Sequence, residues 1–437
     1  MTGGAKAYHT CRLLIQKGGG RTVTYQMTWQ LLDPDGRQVV RKWPLYRVDP
    51  ASIREATDRI RKGFDAFATS VIDNDCDAQV PLLETLVAAG TAMYEVLLPQ
   101  PGGEDGTNGF RPWFEENVAR LGDAASDPEY TIEVVIVGKA DEVPPVGLIF
   151  TPRPGRKAPA TLDFDAYRDF WCIGLRCACF TSAQAEKLLD EPIDGDKFHT
   201  IVLHEHNDRS YELVEKFVKE TSQPFGMPQR VDSDFVKAAD RLPSAFQDSG
   251  VLIHFDLTAT DRSDELNIFT TPDNRIKLSP AALEQIIEVA RKKSNGGGER
   301  AYALAIIDRE AIIRGDRGPK WLEIFLSRPW IGLIAVEGDA RSRRDWNEDK
   351  QIRPDRFLGL VFLRTILKYN DQRMIDSIID ARRECWPFSL FYGLYCDPRQ
   401  PWIREQPDLV KDIDRIIPVL GEHHPGAKVD QAVTGRG

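Results

Sequence analysis

The run Val251-Leu252-Ile253-His254-Phe255 stops at Asp256-Leu257-Thr258-Ala259, and the same pattern occurs twice more further along the chain. Ala303-Leu304-Ala305-Ile306-Ile307 stops at Asp308-Arg309-Glu310-Ala311, and Ile331-Gly332-Leu333-Ile334-Ala335-Val336 stops at Glu337-Gly338-Asp339. Each is a short apolar run closed by acidic and small residues, which predicts a strand ending in a loop. An apolar strand over 199–204 precedes them and one over 388–395 follows.

Helical patterns fill the intervals, at 211–220, 235–246, 279–293, 318–328, 354–370 and 372–384. Ser279-Pro280 marks one start, with serine as the cap and proline in the first turn. Strands alternating with helices predict an α/β fold, a mostly parallel sheet with helices on both faces.

Upstream the pattern differs. Residues 1–50 are β-rich: Cys11-Arg12-Leu13-Leu14-Ile15, the Thr-, Tyr- and Trp-containing segment 22–32, the turn signal Pro34-Asp35-Gly36, and the segment 38–43. Two amphipathic helices are expected at 51–71, with Ile53, Ala56, Ile60 and Phe64 on one face, and at 80–98, with Leu83, Leu86, Ala89, Met93 and Leu97. Pro99 and Pro101 stop the second. A strand is expected at 131–137, an exposed loop at 102–109 and a basic, proline-rich hinge at 152–159. The domain reading is therefore a β-rich region 1–50, a helical and strand region 51–195 packed on the core, an α/β core 196–405, and a tail 406–437 that is partly disordered.

Composition narrows the function. The chain has 437 residues, 42% hydrophobic and 28% charged, as expected of a soluble protein. With 57 basic and 67 acidic residues its net charge is −10, which argues against nucleic acid as the main partner. No apolar run approaches the roughly 18 residues of a membrane span. Residues 1–6 lack the apolar core of a signal peptide, so the expectation is cytoplasmic. Cys11, Cys76, Cys172, Cys177, Cys179, Cys385 and Cys396 are an odd set at irregular spacings and read as reduced and mostly buried. Cys177-Ala178-Cys179 is too closely spaced for a zinc knuckle and has no companion pair. No phosphate loop, dinucleotide fingerprint or nucleophile elbow is present, and no cofactor is implied. Arg341-Ser342-Arg343-Arg344, flanked by Asp339 and Asp345, reads as a solvated loop.

The order of these parts over residues 80–396 resembles the CHAT family of caspase-like peptidases. The best local match is the ending, where Ala381-Arg382, Trp386 and Tyr392-Gly393 stand where similar chains carry Ala-Arg, a tryptophan and Tyr-Gly. The resemblance implies a caspase-like sheet. It also implies a histidine after the first run, in a His-Gly pair, and a nucleophilic cysteine after the second, in an Ala-Cys pair. Here Thr258-Ala259 and Arg309-Glu310 occupy those places. Thr258 has no nitrogen base, Glu310 has no thiol, and no cysteine lies between Cys179 and Cys385. The expectation is a degenerate member, a pseudoprotease with a protein partner, in the setting of bacterial conflict and defence that the resemblance implies.

Ligands of open parallel sheets bind at the carboxyl ends of the strands. His206, Asp208, Asp256, Asp308 and Glu337 fall there and form the candidate binding set, suited to a basic peptide group or a divalent metal. Two alternatives stay open: an active hydrolase with a rearranged site using His206 and Asp308, and a scaffold subunit of a larger assembly. His254, within its strand, reads as structural.

Overall fold

A computed structural model of the chain describes residues 8–18, 23–73, 75–100, 109–118, 130–137, 143–152 and 162–185. Beyond these it describes the strands named below, residues 281, 326, 337, 338, 362 and 365, and the segment 374–397. The helices expected at 211–220 and 235–246, the hinge at 152–159 apart from its first residue, the basic loop at 341–344 and the tail lie outside the described residues.

The first sheet grows from alternation. In β1 (His9–Gly18) Cys11, Leu13 and Ile15 are buried, and in β2 (Thr24–Leu32) Met27, Trp29 and Leu31 are. The antiparallel register pairs Cys11 with Leu31, Leu13 with Trp29 and Ile15 with Met27, so both sets share one face. The hairpin continues into β3 (Gln38–Lys42) and β4 (Tyr46–Val48), both paired with β2.

Two helices follow. Asp49 caps α1 (Pro50–Ile72) by accepting from the Ala51 N–H at 3.0 Å. Asp75 caps α2 (Cys76–Leu97), which therefore starts four residues before the periodic apolar pattern does. Pro81 is accommodated inside α2. This helix is long and apolar enough to cross a membrane by length and composition, unlike the expectation from uninterrupted runs, because Glu84 and Glu95 break the run without ending the helix. Here its Leu83, Leu86, Met93 and Leu97 are buried in the core. The aromatic helix α3 (Phe110–Asn117) was not foreseen; its Phe110 ring stacks on Trp29 at 4.1 Å.

β5 (Tyr130–Val137) then pairs in parallel with β1, and β6 (Arg176–Thr181) in parallel with β5. Before β6 comes a one-turn helix, α4 (Trp171–Gly174), and after it another, α5 (Ser182–Ala185). The strands at the two ends of this region thus belong to one sheet, of order β3-β2-β1-β5-β6 with β4 also on β2. Its apolar face is continuous, with Ile132, Val134 and Ile136 registered to Cys11, Leu13 and Ile15. The Trp29 indole N–H reaches the Leu97 carbonyl at 3.3 Å, which ties this face to the end of α2. On the opposite face the buried Glu133 accepts from Arg12 Nε at 2.8 Å.

The second sheet contains β7 (Phe198–His204), β8 (Gln229–Arg230), β9 (Gly250–Asp256), β12 (Tyr302–Ile307), β13 (Ile331–Val336) and β14 (Tyr392–Tyr395). Between β9 and β12 an unforeseen hairpin, β10 (Leu266–Thr271) and β11 (Asn274–Leu278), forms its own two-stranded sheet. The second sheet runs β14-β13-β12-β9-β7-β8. The five strands expected to share a sheet do so. The sheet is mixed, because β14 is antiparallel to β13 while the other pairs are parallel. The last strand is also shorter than its apolar run: Phe388–Phe391 closes a 3-10 turn, with Leu390 N–H donating to Pro387 at 3.1 Å.

β6 and β14 lie side by side, so the two sheets meet at a seam. α6 (Met374–Glu384) packs over β6 and α4 there. The Trp386 indole donates to the Leu162 carbonyl at 2.7 Å, and Phe64 of α1 meets Phe391 edge-on at 5.3 Å. One hydrophobic core, from Cys11 to Cys396, runs through both sheets.

Candidate functional site

Parallel pairing brings four carboxyl ends to one edge of the second sheet. His204 is opposite Asp256, Phe255 is opposite Ile307, and Ile307 is opposite Ala335. Asp256 thus ends β9 at this edge, and Glu337 follows β13 directly. His206, Asp208, Thr258, Asp308 and Glu310 lie outside the described residues. His254 is in register with Val202 and Ile306, in the interior of the sheet.

Glu337 is set differently from a rim ligand: its side chain is buried, at 5% exposure. Its backbone N–H donates to the Phe391 carbonyl at 2.7 Å, which turns the chain toward the seam. Its Oε2 accepts from the Tyr395 hydroxyl at 2.7 Å. Gly393, on the neighbouring strand, leaves the necessary room, since a Cβ there would come within 2.1 Å of Oε1. Burial pushes the Glu337 carboxyl up to about 7, against the opposing pull of the Tyr395 hydrogen bond, Arg61 and Arg382. The signal in the sequence was the glycine in Tyr392-Gly393-Leu394-Tyr395, which marks a close approach inside a strand.

Arg382, also buried, donates from Nη1 to the Ser389 carbonyl at 2.6 Å and from Nη2 to the Tyr392 carbonyl at 3.0 Å. Its guanidinium lies 5.2 Å from the Phe362 ring centroid. The Ala381-Arg382 pair of the family resemblance therefore holds the turn into β14.

Three thiols face the same seam. Cys172, Cys177 and Cys179 are buried, and burial raises all three, Cys172 to about 11. A thiol held neutral is no nucleophile. β6, which carries two of them, is separated from β9 and His254 by β14, β13 and β12, so no cysteine–histidine pair forms there. Among the described residues no group of His, Cys, Asp and Glu has the arrangement of a metal site. Brief iodoacetamide treatment of the native chain is expected to modify the exposed Cys76 at least about 100-fold faster than Cys11, Cys172, Cys177, Cys179 or Cys396. Peptide mass mapping checks this; equal labelling of Cys177 or Cys179 would contradict the buried seam.

No family model matches the sequence, and no curated protein matches it.

Proposed function

We propose that the chain is a non-catalytic relative of the CHAT peptidases: a caspase-like module, cytoplasmic, that acts in protein recognition or regulation within a bacterial defence system. The observation that carries this reading is a chemical one. The resemblance requires a nucleophile at the end of β12, and no cysteine occurs anywhere between Cys179 and Cys385. Shifting the register by a residue or two cannot restore the dyad.

Topology supports the scaffold half of the proposal. Numbered within the second sheet, the strands lie in the order second, first, third, fourth, fifth, sixth, and only the last is reversed. A mixed sheet with one reversed strand, and with its parallel strand ends on one edge, is compatible with a caspase-like core. In the sequence, the residues at and just after the ends of these strands are rich in acid and imidazole: His206, Asp208, Asp256 and Asp308. A carboxylate cluster of this kind pairs with arginine or lysine side chains, so the partner is a protein presenting a basic segment. Fluorogenic peptide turnover by the full chain, with and without iodoacetamide, tests the reading. No turnover is expected under either condition.

A further inference from the structure

Glu337 has one carboxylate oxygen with a partner and one without. Oε2 takes the Tyr395 hydroxyl, whereas Oε1 is buried and accepts no hydrogen bond among the described residues. Beside it lies a space of about 10 Å³, lined also by Gly147, Cys179, Gly393 and Tyr395, room for one water at most. A Cβ at Gly147 would stand 3.8 Å from Oε1 and one at Gly393 would stand 2.1 Å from it, so two bare backbones frame this oxygen. A neutral acid tolerates such a place at modest cost; a carboxylate there is deprived of solvent on one side.

We propose that Glu337 is a proton-operated latch, holding the seam between β6 and β14 closed while its carboxyl is protonated and loosening it when the proton leaves.

The surroundings decide the direction. From β14 Tyr395 bonds the carboxyl, Arg382 of α6 and Cys177 and Cys179 of β6 line the same space, and Arg61 of α1 and Cys172 of α4 couple to it electrostatically. Asp65 of α1 lies against the next residue, Gly338. Tyr395, Arg61 and Arg382 favour the charged form, but burial outweighs them. Arg382 gives two of its donors to backbone carbonyls, so its fork is already engaged. The thiols and Tyr395 are raised further from neutrality and keep their protons where Glu337 loses its own.

The carboxyl is raised from an ordinary 4.5 to about 7 in the folded chain. A raised folded value means that the folded state binds this proton more tightly. Its contribution is complete below 4.5 and is lost as the pH climbs through about 7. The seam is therefore tighter in mild acid and looser in mild alkali, whether or not the chain cleaves peptides.

Hydrogen–deuterium exchange of the full chain at about pH 5.5 and about pH 8.5, corrected for intrinsic exchange, reads the latch. The amides of 176–181 and 392–395 should lose about tenfold protection or more at the higher pH, and in Glu337→Gln that pH dependence should vanish. Equal protection of the unaltered chain at both pH values would overturn the latch, as would an unchanged pH dependence in Glu337→Gln. Infrared spectroscopy of the unaltered chain needs no variant to fold. A protonated-carboxyl band that disappears between about pH 6 and about pH 8 supports the proposal, and the absence of any such band overturns it.

Discussion

Replacing Arg382 by alanine is expected to lower the stability of the chain by about 3–5 kcal/mol. Its side chain is 1% exposed and donates to two carbonyls, those of Ser389 and Tyr392, that flank the entry to β14. Truncation leaves both acceptors buried without these donors, opens a cavity beside Phe362 and removes a cation whose field favours the ionised form of Glu337. Lysine is a poor substitute, because one ammonium cannot reproduce the fork that spans two carbonyls. The Ser389 hydroxyl bond to the Arg382 carbonyl at 2.6 Å survives the change, since it uses backbone only on the arginine side. Urea unfolding monitored by tryptophan fluorescence checks the expectation; a loss below about 1 kcal/mol would mean that the turn into β14 is held by other contacts.

Gly90→Ala should destabilise the chain and Gly63→Ala should not, although both glycines lie in helices. In an exposed helix interior alanine is favoured over glycine by about 1 kcal/mol. At Gly63 a Cβ would meet Leu86 no closer than 3.4 Å, ordinary contact, so the helical preference should prevail and the change should be neutral to stabilising. At Gly90 a Cβ would stand 2.3 Å from the Leu148 carbonyl oxygen and 3.0 Å from the Phe150 nitrogen. That backbone cannot retreat easily. Trp171 N–H bonds the Ile149 carbonyl at 2.9 Å, and Thr151 N–H bonds the Asp169 carbonyl at 2.9 Å. Overpacking against a fixed segment costs about 1–3 kcal/mol or more, enough to reverse the helical gain. Thermal unfolding of the two variants side by side reads the sign. A stabilised Gly90→Ala would show that the 146–150 segment does not pack against α2 as described.

Where one element's own pattern suffices, the sequence was legible. The runs at 251–255, 303–307 and 331–336 announce strands because apolar residues fill them, His254 apart, and α1 and α2 because Ile53, Ile60, Leu83 and Leu97 recur at helical spacing. Pairing was not legible. Leu13 and Val134 sit side by side in parallel strands, yet no local feature of either names the other. β6 hid behind its composition. Arg176-Cys177-Ala178-Cys179 invites a question about metal, whereas the cysteines fill the core and Arg176, fully buried, lies under the Tyr8 ring at 3.9 Å. Glu337 misled for a related reason. An acidic residue after a strand reads as solvated, and only the gap left by Gly393, more than fifty residues later, lets its carboxyl turn inward. Asp256 stands at the strand-end edge where its position suggested, because a strand's last residue is placed by the ladder itself.

The central claim is a peptidase scaffold without peptidase chemistry, and a panel of fluorogenic peptides with basic, acidic and apolar residues at the cleavage site tests it most directly. The account predicts no turnover above the buffer rate by the purified full chain, before or after alkylation of its cysteines. Cleavage of any member of the panel that disappears in His206→Ala or Asp308→Ala would contradict it and establish a rearranged active site.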